Sequence, residues 1–376
     1  MAFQAASSMV MATEGRAAAA RAAAPATGMN WRRVNFDDNR NLDASIDIEN
    51  AADAVAWLHA RELIERDETP RIEILPGGVS SRTVLVEREH GRSMVLKQSL
   101  AKLRVAVDWF SSPQRIHREA LATRWFARLA PAGSITELYF EDAEEHIIAI
   151  EAVPRPHDNW KALLLAGDLR IKHVRQFGRL LSELHRGSAE RAAELEPLFG
   201  DKTFFETLRI EPYYRYCAPR APEFLLPLIE ETLATNASLV HGDFSPKNVL
   251  VYRDRMVLLD HEVAHFGDPA FDIGFAMAHL LSKAHHLAEL RDRFLAGAEE
   301  FWVSYGVWQP YPDFEARCVR HSLACLLARV CGRSPLEYLG TAERSRQVGA
   351  TLTLMRNAPK SIPGLLKQFK KEIACR

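Results

Sequence analysis

The chain has 376 residues, 47% of them hydrophobic, and its formal net charge is −1. This length predicts about two domains, and the near-neutral charge gives no reason to expect a nucleic acid or an anionic membrane as a partner. No apolar stretch approaches the roughly 20 residues that cross a bilayer, and five cysteines without a Cys-x-x-Cys pair favour a reducing compartment, the cytoplasm, over a disulfide framework.

The first 45 residues differ in composition from the rest of the chain. Residues 1–28 are rich in alanine and contain Arg16, Arg21 and a single acidic residue, Glu14. This composition loosely resembles a transit peptide. We interpret residues 1–45 as a disordered tail, and we keep a transit peptide and a true start at Met29 as the alternatives.

Residues 46–153 are predicted to form a small antiparallel sheet with one inserted helix. Apolar residues at helical spacing predict a first helix at 50–66. Short apolar runs between turn residues predict strands at 71–75, 83–87, 93–98, 135–140 and 146–151. Pro113 predicts the start of a helix that runs to about residue 129, because proline fits the first turn of a helix.

Pro154 and Pro156 interrupt this pattern and predict a boundary between two lobes. Residues 154–376 are predicted to be mainly helical. The predicted helices are 159–166, 168–186, 203–209, 222–235, 269–286, 288–305, 312–331, 335–356 and 361–373. The exception is a β-hairpin with strands at 249–252 and 256–260. The sequence therefore predicts an α+β fold of two lobes, 46–153 and 154–376.

The most informative segment leads into this hairpin. It is His241-Gly242-Asp243-Phe244-Ser245-Pro246-Lys247-Asn248. Phosphoryl transfer to an alcohol requires a carboxylate that orients and deprotonates the hydroxyl, oxygen ligands for Mg²⁺, and a cation on the nucleotide phosphates. Asp243 and Asn248 supply a base and a metal ligand from one loop. Asp260, at the far end of the hairpin, returns to the same place because a hairpin brings its ends together.

His-Gly-Asp followed by Asn at the fifth position after the Asp resembles the catalytic loop of the aminoglycoside phosphotransferase and choline kinase superfamily. Protein kinases have His-Arg-Asp at that place. The resemblance implies a protein-kinase-like fold that binds ATP between its two lobes. It implies that Asp243 is the catalytic base, that Asn248 and Asp260 bind Mg²⁺, and that Asp272 braces the loop through backbone hydrogen bonds. Glu262 is predicted to join the metal site directly or through water.

Lys97 ends the apolar run of the third strand and resembles the strand lysine that holds the α- and β-phosphates of ATP. Glu119, in the middle of the next helix, is its expected partner. A lysine at a sheet edge that extends to solvent and a solvated glutamate are the structural alternatives. The order of the two residues, upstream of the catalytic loop, favours the functional interpretation.

The turn between the first two strands is the third predicted contact with the nucleotide. Gly77, Gly78, Ser80 and Ser81 offer backbone N–H groups and small hydroxyls to phosphates. The turn departs from G-x-G-x-x-G, and an ordinary turn is the alternative. The adenine is expected to meet the backbone of the segment from Glu151 to Val153, which leads into the prolines.

Several features resemble the methylthioribose kinases in particular. They are Lys97-Gln98-Ser99-Leu100 with Arg104 and Trp109, Asp260-His261-Glu262-Val263-Ala264, and Arg329-Val330-Cys331-Gly332, where arginines approach the sugar. Two positions depart from that pattern: Asn248 replaces a serine, and Ala328 replaces the first of two arginines. A sugar such as methylthioribose, or a related alcohol, is the favoured acceptor, and Arg329 is its predicted contact.

Two other functions are weighed against this one. An antibiotic kinase for polycationic aminoglycosides needs an acidic acceptor pocket, whereas the C-terminal helices carry many bases: Arg317, Arg320, Arg329, Arg333, Arg344 and Arg346. A nucleotide-binding pseudokinase would have lost the base, the lysine or a metal ligand, and all of these positions are filled. A protein kinase and a P-loop kinase are disfavoured because their motifs are absent.

Overall fold

The computed structural model describes residues 46–76, 78–105 and 108–374. The tail predicted for residues 1–45 and the phosphate contact predicted for Gly77 lie outside these residues. Across the described ranges, no helix combines the length and the apolar character that crossing a membrane requires.

The N-terminal part forms one antiparallel sheet of five strands in the order β1-β2-β3-β5-β4. The strands are β1 (Arg71–Ile74), β2 (Ser81–Glu87), β3 (Met94–Ser99), β4 (Leu138–Asp142) and β5 (Ile147–Glu151). Successive side chains of a strand point to opposite faces, and each face of the sheet packs against its own helix. Helix α1 (Ala51–Ala60) covers one face with Trp57, and helix α2 (Arg115–Leu129) covers the other with Ile116.

The C-terminal part is mainly helical. Its α-helices are α3 (Trp160–Leu165), α4 (Ile171–Ala189), α5 (Ala192–Phe199), α6 (Thr203–Phe205), α7 (Pro222–Ala234), α8 (Ala270–His286), α9 (Arg291–Tyr305), α10 (Phe314–Cys331), α11 (Thr341–Arg356) and α12 (Ile362–Ala374). A π-helical segment, Glu206–Arg215, continues from α6. Short 3₁₀ turns occupy Ala218–Arg220, Pro246–Asn248 and Ala288–Leu290.

Two small sheets carry the loops of the C-terminal part. Strands β6 (Asp158–Asn159), β8 (Val249–Tyr252) and β9 (Arg255–Leu258) form one antiparallel sheet, in which β8 and β9 are the hairpin. Strands β7 (Ser238–Val240) and β10 (His265–Gly267) form the other.

Helix α8 is the central element of this part. Every residue from Ala270 to His285 is buried, as expected for a helix that is surrounded by other elements. Gly274 lets α8 approach α10 closely, because a Cβ at that position would lie 2.3 Å from the Cβ of His321. The first turn of α8 is thereby fixed beneath the predicted catalytic loop.

The predicted α+β fold, with a small antiparallel sheet and a mainly helical part, is confirmed. The helix predicted at 335–356 begins only at Thr341, because Glu343 caps the backbone N–H of Gly340 and sets the start there. Helix α5 and the end of the π-helical segment were not predicted, since each contains a proline, Pro197 or Pro212, and proline argues against a helix interior. The lobe boundary at 153/154 falls between β5 and β6 and stays a prediction.

Candidate active site

The predicted catalytic loop follows β7 and turns sharply at Gly242. The φ angle of Gly242 is +77°, and a Cβ there would lie 2.8 Å from a methyl group of Val263. A side chain would therefore meet both an unfavourable backbone conformation and a packed neighbour. Glycine at this point lets the chain reverse between His241 and Asp243.

Asp272, in the first turn of α8, fixes the start of this loop. Its carboxylate accepts hydrogen bonds from the backbone N–H groups of His241, over 2.7 Å, and Gly242, over 2.8 Å. His185 Nε2 lies 3.2 Å from Asp272 Oδ2. Burial raises the pKa of Asp272, but the contact with His185 and the nearby His241 outweigh burial and hold this pKa below its ordinary value.

Asp243 is held on one side by two partners. Asn248 Nδ2 donates to Asp243 Oδ2 over 2.7 Å and to the Asp243 carbonyl over 3.0 Å. Arg209 Nη2 lies 3.0 Å from the same Oδ2. Among the residues that the structure describes, none donates a hydrogen bond to the other carboxylate oxygen, Oδ1. Because the amide nitrogen of Asn248 is committed to Asp243, its carbonyl oxygen is left as a ligand.

Asp260 follows the hairpin and faces Lys97 across the cleft. Lys97 Nζ lies 2.9 Å from Asp260 Oδ1 and 2.5 Å from Glu119 Oε1. Burial lowers the pKa of Lys97, but the two carboxylates outweigh it, so the pKa lies above its ordinary value. Asp260 has a left-handed φ of 68°, a conformation that a non-glycine residue adopts only when its surroundings impose it.

Glu262 is tied to a buried arginine. Arg115 is fully buried, and its Nε donates to Glu262 Oε2 over 3.0 Å. The same guanidinium donates to the carbonyls of Ser80, Leu100 and Ser111. Arg115 thus connects the turn after β1, the segment after β3 and the segment after Asp260.

A single cavity of about 560 Å³ brings almost all of the predicted site residues together. Those on its wall are Gly78, Ser80, Ser81, Lys97, Glu119, Glu151, Val153, Asp243, Asn248, Asp260, Glu262 and Arg329. Asp272 lies behind the loop rather than on the wall. The predicted base, metal ligands, lysine and acceptor contact therefore line the same cavity.

One end of the cavity is apolar. It is lined by Leu75, Leu85, Val95, Ile150, Leu250 and Leu259, with the backbone from Glu151 to Val153 at its rim. The turn after β1 closes over the adjoining part of the cavity. Gly78 fits there because a Cβ would lie 2.2 Å from the carbonyl oxygen of Ser81, and the buried Ser81 hydroxyl has no hydrogen-bond partner within the described chain.

The other end of the cavity contains Arg209, Tyr213, Phe275, His279, Arg329 and Ser334. Arg329 Nη1 donates to the hydroxyls of Tyr213, over 3.0 Å, and Ser334, over 3.1 Å. Of the six C-terminal arginines named above, Arg329 is the one that lines the cavity, so the positive charge that disfavours a polycationic acceptor comes from this residue. Arg317 and Arg320 lie away from the cavity, where they pair with Glu231 and with Asp268 or Asp313.

Sequence reasoning missed Arg209 and Arg115. Arg209 lies in the π-helical segment, outside any motif, and it reaches Asp243 only through the tertiary fold. Arg115 lies one turn before Glu119 on the same helix, but its partner Glu262 is 147 positions away along the chain. The sequence signal available for Arg115 was its place on the same helical face as Glu119, four positions away. The sequence offered no signal for Arg209.

Comparisons with known proteins show what the fold and the sequence of this chain are similar to. A choline/ethanolamine kinase family protein from Mesorhizobium loti has the same fold, with a TM-score of 0.50 at 15% identity over 85% of this chain and 99% of that chain. Methylthioribose kinase from Pectobacterium carotovorum subsp. carotovorum (strain PC1) is 22% identical over 306 residues, which are 70% of this chain and 76% of that protein. Methylthioribose kinase 2 from Oryza sativa subsp. japonica is 25% identical over 235 residues, 54% of this chain and only 55% of the rice protein.

The fold and the cleft place the chain among proteins with the kinase-like arrangement of a small sheet and a helical part. The model of the phosphotransferase enzyme family matches residues 71–311, which include the five-stranded sheet, the predicted catalytic loop and α8. The chain belongs to the phosphotransferase enzyme family. The resemblance stated from the sequence is thereby confirmed.

Proposed function

We propose that the protein transfers the γ-phosphoryl group of ATP, with Mg²⁺, to a hydroxyl group of a small molecule. The observation that carries the proposal is the sharing of one cavity by Lys97, Asp260, Asn248 and Asp243. These four side chains supply the cation, the metal ligands and the base that phosphoryl transfer needs. A sugar such as methylthioribose, or a related alcohol, is the favoured acceptor.

The apolar end of the cavity suits an adenine ring, with the backbone from Glu151 to Val153 at its edge. Lys97 is then in position to contact the phosphates, and Glu119 holds its ammonium group. The turn at Gly78, Ser80 and Ser81 would cover the phosphates with backbone and hydroxyl groups.

The donor set opposite Lys97 suits Mg²⁺, a hard cation that prefers oxygen ligands. Asn248 offers its carbonyl oxygen, because its nitrogen is bound to Asp243, and Asp260 offers the oxygen that Lys97 leaves free. Glu262 has one oxygen on Arg115 and one toward the site, directly or through water. A Mg²⁺ ion held by these residues would neutralise the negative charge that develops during phosphoryl transfer.

Asp243 is the proposed catalytic base. Asn248 and Arg209 hold its Oδ2, so Oδ1 can accept the proton of the acceptor hydroxyl and orient its oxygen toward the phosphate. Arg209 places a positive charge beside the carboxylate of Asp243. The chain's own contribution is therefore position, proton acceptance and charge.

Two alternatives remain as outcomes of the same experiment. Purified protein would be incubated with ATP, Mg²⁺ and a panel of sugars including methylthioribose, amino alcohols and antibiotics, and phosphomonoester formation would be followed by phosphorus NMR. We expect product with one acceptor class, none with Asp243→Ala, and none with EDTA. A preference for aminoglycosides would indicate an antibiotic kinase. Nucleotide binding without transfer or hydrolysis would indicate a pseudokinase. A cytoplasmic location stays a prediction.

A further inference from the structure

Positive charge at the acceptor end of the cavity is only partly neutralised by the protein. Two cations there or nearby have carboxylate partners: Arg209 pairs with Asp243, and Lys161 pairs with Glu337. Arg329 and Lys283 have no carboxylate within ion-pair distance among the described residues. A buried charge without a partner is costly, and this cost falls on the fully buried Lys283, whereas Arg329 is partly buried and lies on the cavity wall.

Arg329 is held along one side only. Its Nη1 donates to the Tyr213 hydroxyl and to both the hydroxyl and the carbonyl of Ser334, and all three residues line the cavity. Its Nε is buried without a hydrogen-bond partner, and its Nη2 donates to no acceptor in the described part of the chain. The Nε–Nη2 edge of a guanidinium matches the two oxygens of a carboxylate or a phosphate.

Lys283 adds charge behind this point. It lies on α8, one turn after the cavity-lining His279, and its side chain is fully buried. Its Nζ has one distant acceptor, the His279 carbonyl at 3.4 Å, and lies 5.4 Å from the centre of the Tyr338 ring. Burial lowers the pKa of Lys283 to about 7, and the charges of Lys161 and Arg329 act in the same direction.

We propose that the acceptor carries an anionic group, a carboxylate or a phosphate ester, in addition to the hydroxyl that receives the phosphoryl group. Arg329 binds this anionic group through its free edge, and Lys283 supplies positive charge behind Arg329. The inference rests on the proposed kinase activity and changes its favoured acceptor from a neutral sugar such as methylthioribose to an anionic sugar or alcohol. A cationic acceptor would be repelled by the same two side chains.

The test uses pairs of acceptors that share a hydroxyl scaffold and differ in charge. Glycerol and glycerate test the carboxylate, ribose and ribose 5-phosphate test the phosphate ester, and methylthioribose and choline represent neutral and cationic acceptors. For the full-length protein with saturating ATP and Mg²⁺, we expect kcat/KM for the anionic member of at least one pair to exceed that of its neutral partner by about 10- to 100-fold, as a charge-assisted contact predicts.

Variants then assign the preference to the two cations. Arg329→Gln should reduce the anionic preference, measured as the ratio of kcat/KM for the anionic member to kcat/KM for the neutral member, to within about threefold, because a charge-assisted contact is removed. Lys283→Met should also reduce the anionic preference, but by a smaller factor than Arg329→Gln. Arg333→Gln is the matched control, since Arg333 is exposed on the same segment and stacks on Tyr216 outside the cavity, and it should keep the full preference.

The outcomes separate this inference from the proposed function. Phosphorylation of neutral or cationic acceptors with equal or higher kcat/KM would overturn the inference and leave the kinase activity standing. An anionic preference that survives both Arg329→Gln and Lys283→Met would also overturn it. Absence of transfer to every acceptor in the panel would reject the proposed function and the inference together.

Discussion

Asp243 is the residue on which the chemical step is expected to depend. Asp243→Asn preserves the shape of the side chain and removes its ability to accept a proton, so kcat should fall by about 10²- to 10⁴-fold. The affinity for ATP should stay nearly unchanged, because the nucleotide contacts lie elsewhere in the cavity. Turnover and calorimetric nucleotide affinity would be measured side by side. Near-normal turnover would show that another group, His241 or Glu262, is the base.

Asp260 and Lys97 face each other over 2.9 Å, yet their substitutions should have different effects. Asp260→Ala removes a proposed metal ligand, so Mg·ATP affinity should fall, and excess Mg²⁺ should restore part of the activity through Asn248. Lys97→Ala removes a proposed phosphate contact, so nucleotide affinity should fall without any rescue by Mg²⁺. Titrating Mg²⁺ against activity for both variants makes the distinction. Identical Mg²⁺ responses would contradict the separate roles.

Residues within a motif could be placed from the sequence, because the motif itself fixes their spacing. Asp243 and Asn248 share one loop, and the hairpin β8–β9 returns Asp260 to that loop. Arg209 could not be placed, since nothing local distinguishes it from a solvated arginine before the fold is known. The free Nε–Nη2 edge of Arg329 could not be predicted from the sequence either, because it depends on which acceptors Tyr213 and Ser334 supply in the folded chain.

At the scale of elements, α2 is attached to the site by Arg115. Arg115→Met should lower the free energy of unfolding by about 3–5 kcal/mol, because it leaves the buried Glu262 carboxylate without its partner. The nucleotide KM should also rise, since the turn at Ser80 loses a donor. Thermal and urea unfolding would measure the first effect, and steady-state kinetics the second.

Two further variants make this prediction specific. Arg124→Met, on the same helix, removes a half-exposed pair with Glu141 and should change stability by less than about 1 kcal/mol. The double variant Arg115→Met/Glu262→Met should recover part of the lost stability, because no buried charge remains unpaired. A double variant as unstable as Arg115→Met alone would contradict this explanation.

Elements with a regular pattern were predicted well, and irregular ones were not. Strands β1 to β5 and helices α2, α8 and α10 follow from apolar periodicity and flanking turn residues. The π-helical segment Glu206–Arg215 has no such pattern, and the proline within it argues against a helix. Its place is set instead by tertiary packing, and Arg209 enters the site from this segment.

At the scale of the whole molecule, Lys283 places a buried charge near the acceptor end of the cavity, where an apolar side chain would give a more stable fold. The central helix α8 is buried on all sides, and an apolar residue at Lys283 would pack there without a desolvation cost. A lysine in that position is easier to understand as a functional group than as a structural one. We therefore expect a substitution of Lys283 to change both the free energy of unfolding and the acceptor preference.

Lys283→Met should stabilise the fold by about 1–4 kcal/mol at pH 7, because it replaces a buried, unpaired cation with an apolar side chain of similar length. The pKa of Lys283 is lowered to about 7 in the folded protein, whereas an unfolded lysine has a pKa of about 10.4. Between these values the unfolded chain binds more protons, so the contribution of Lys283 to stability rises with pH from about 7 to about 10. Below pH 7 both states bind the proton, and the full penalty remains.

Urea unfolding from pH 6 to 10 should thus show a stability gain for Lys283→Met that is largest at pH 6 and shrinks toward pH 10. Lys367→Met, which removes an exposed lysine on α12, should show no such trend, and a pH-independent gain for Lys283→Met would mean that Lys283 keeps its proton in the folded protein across this range.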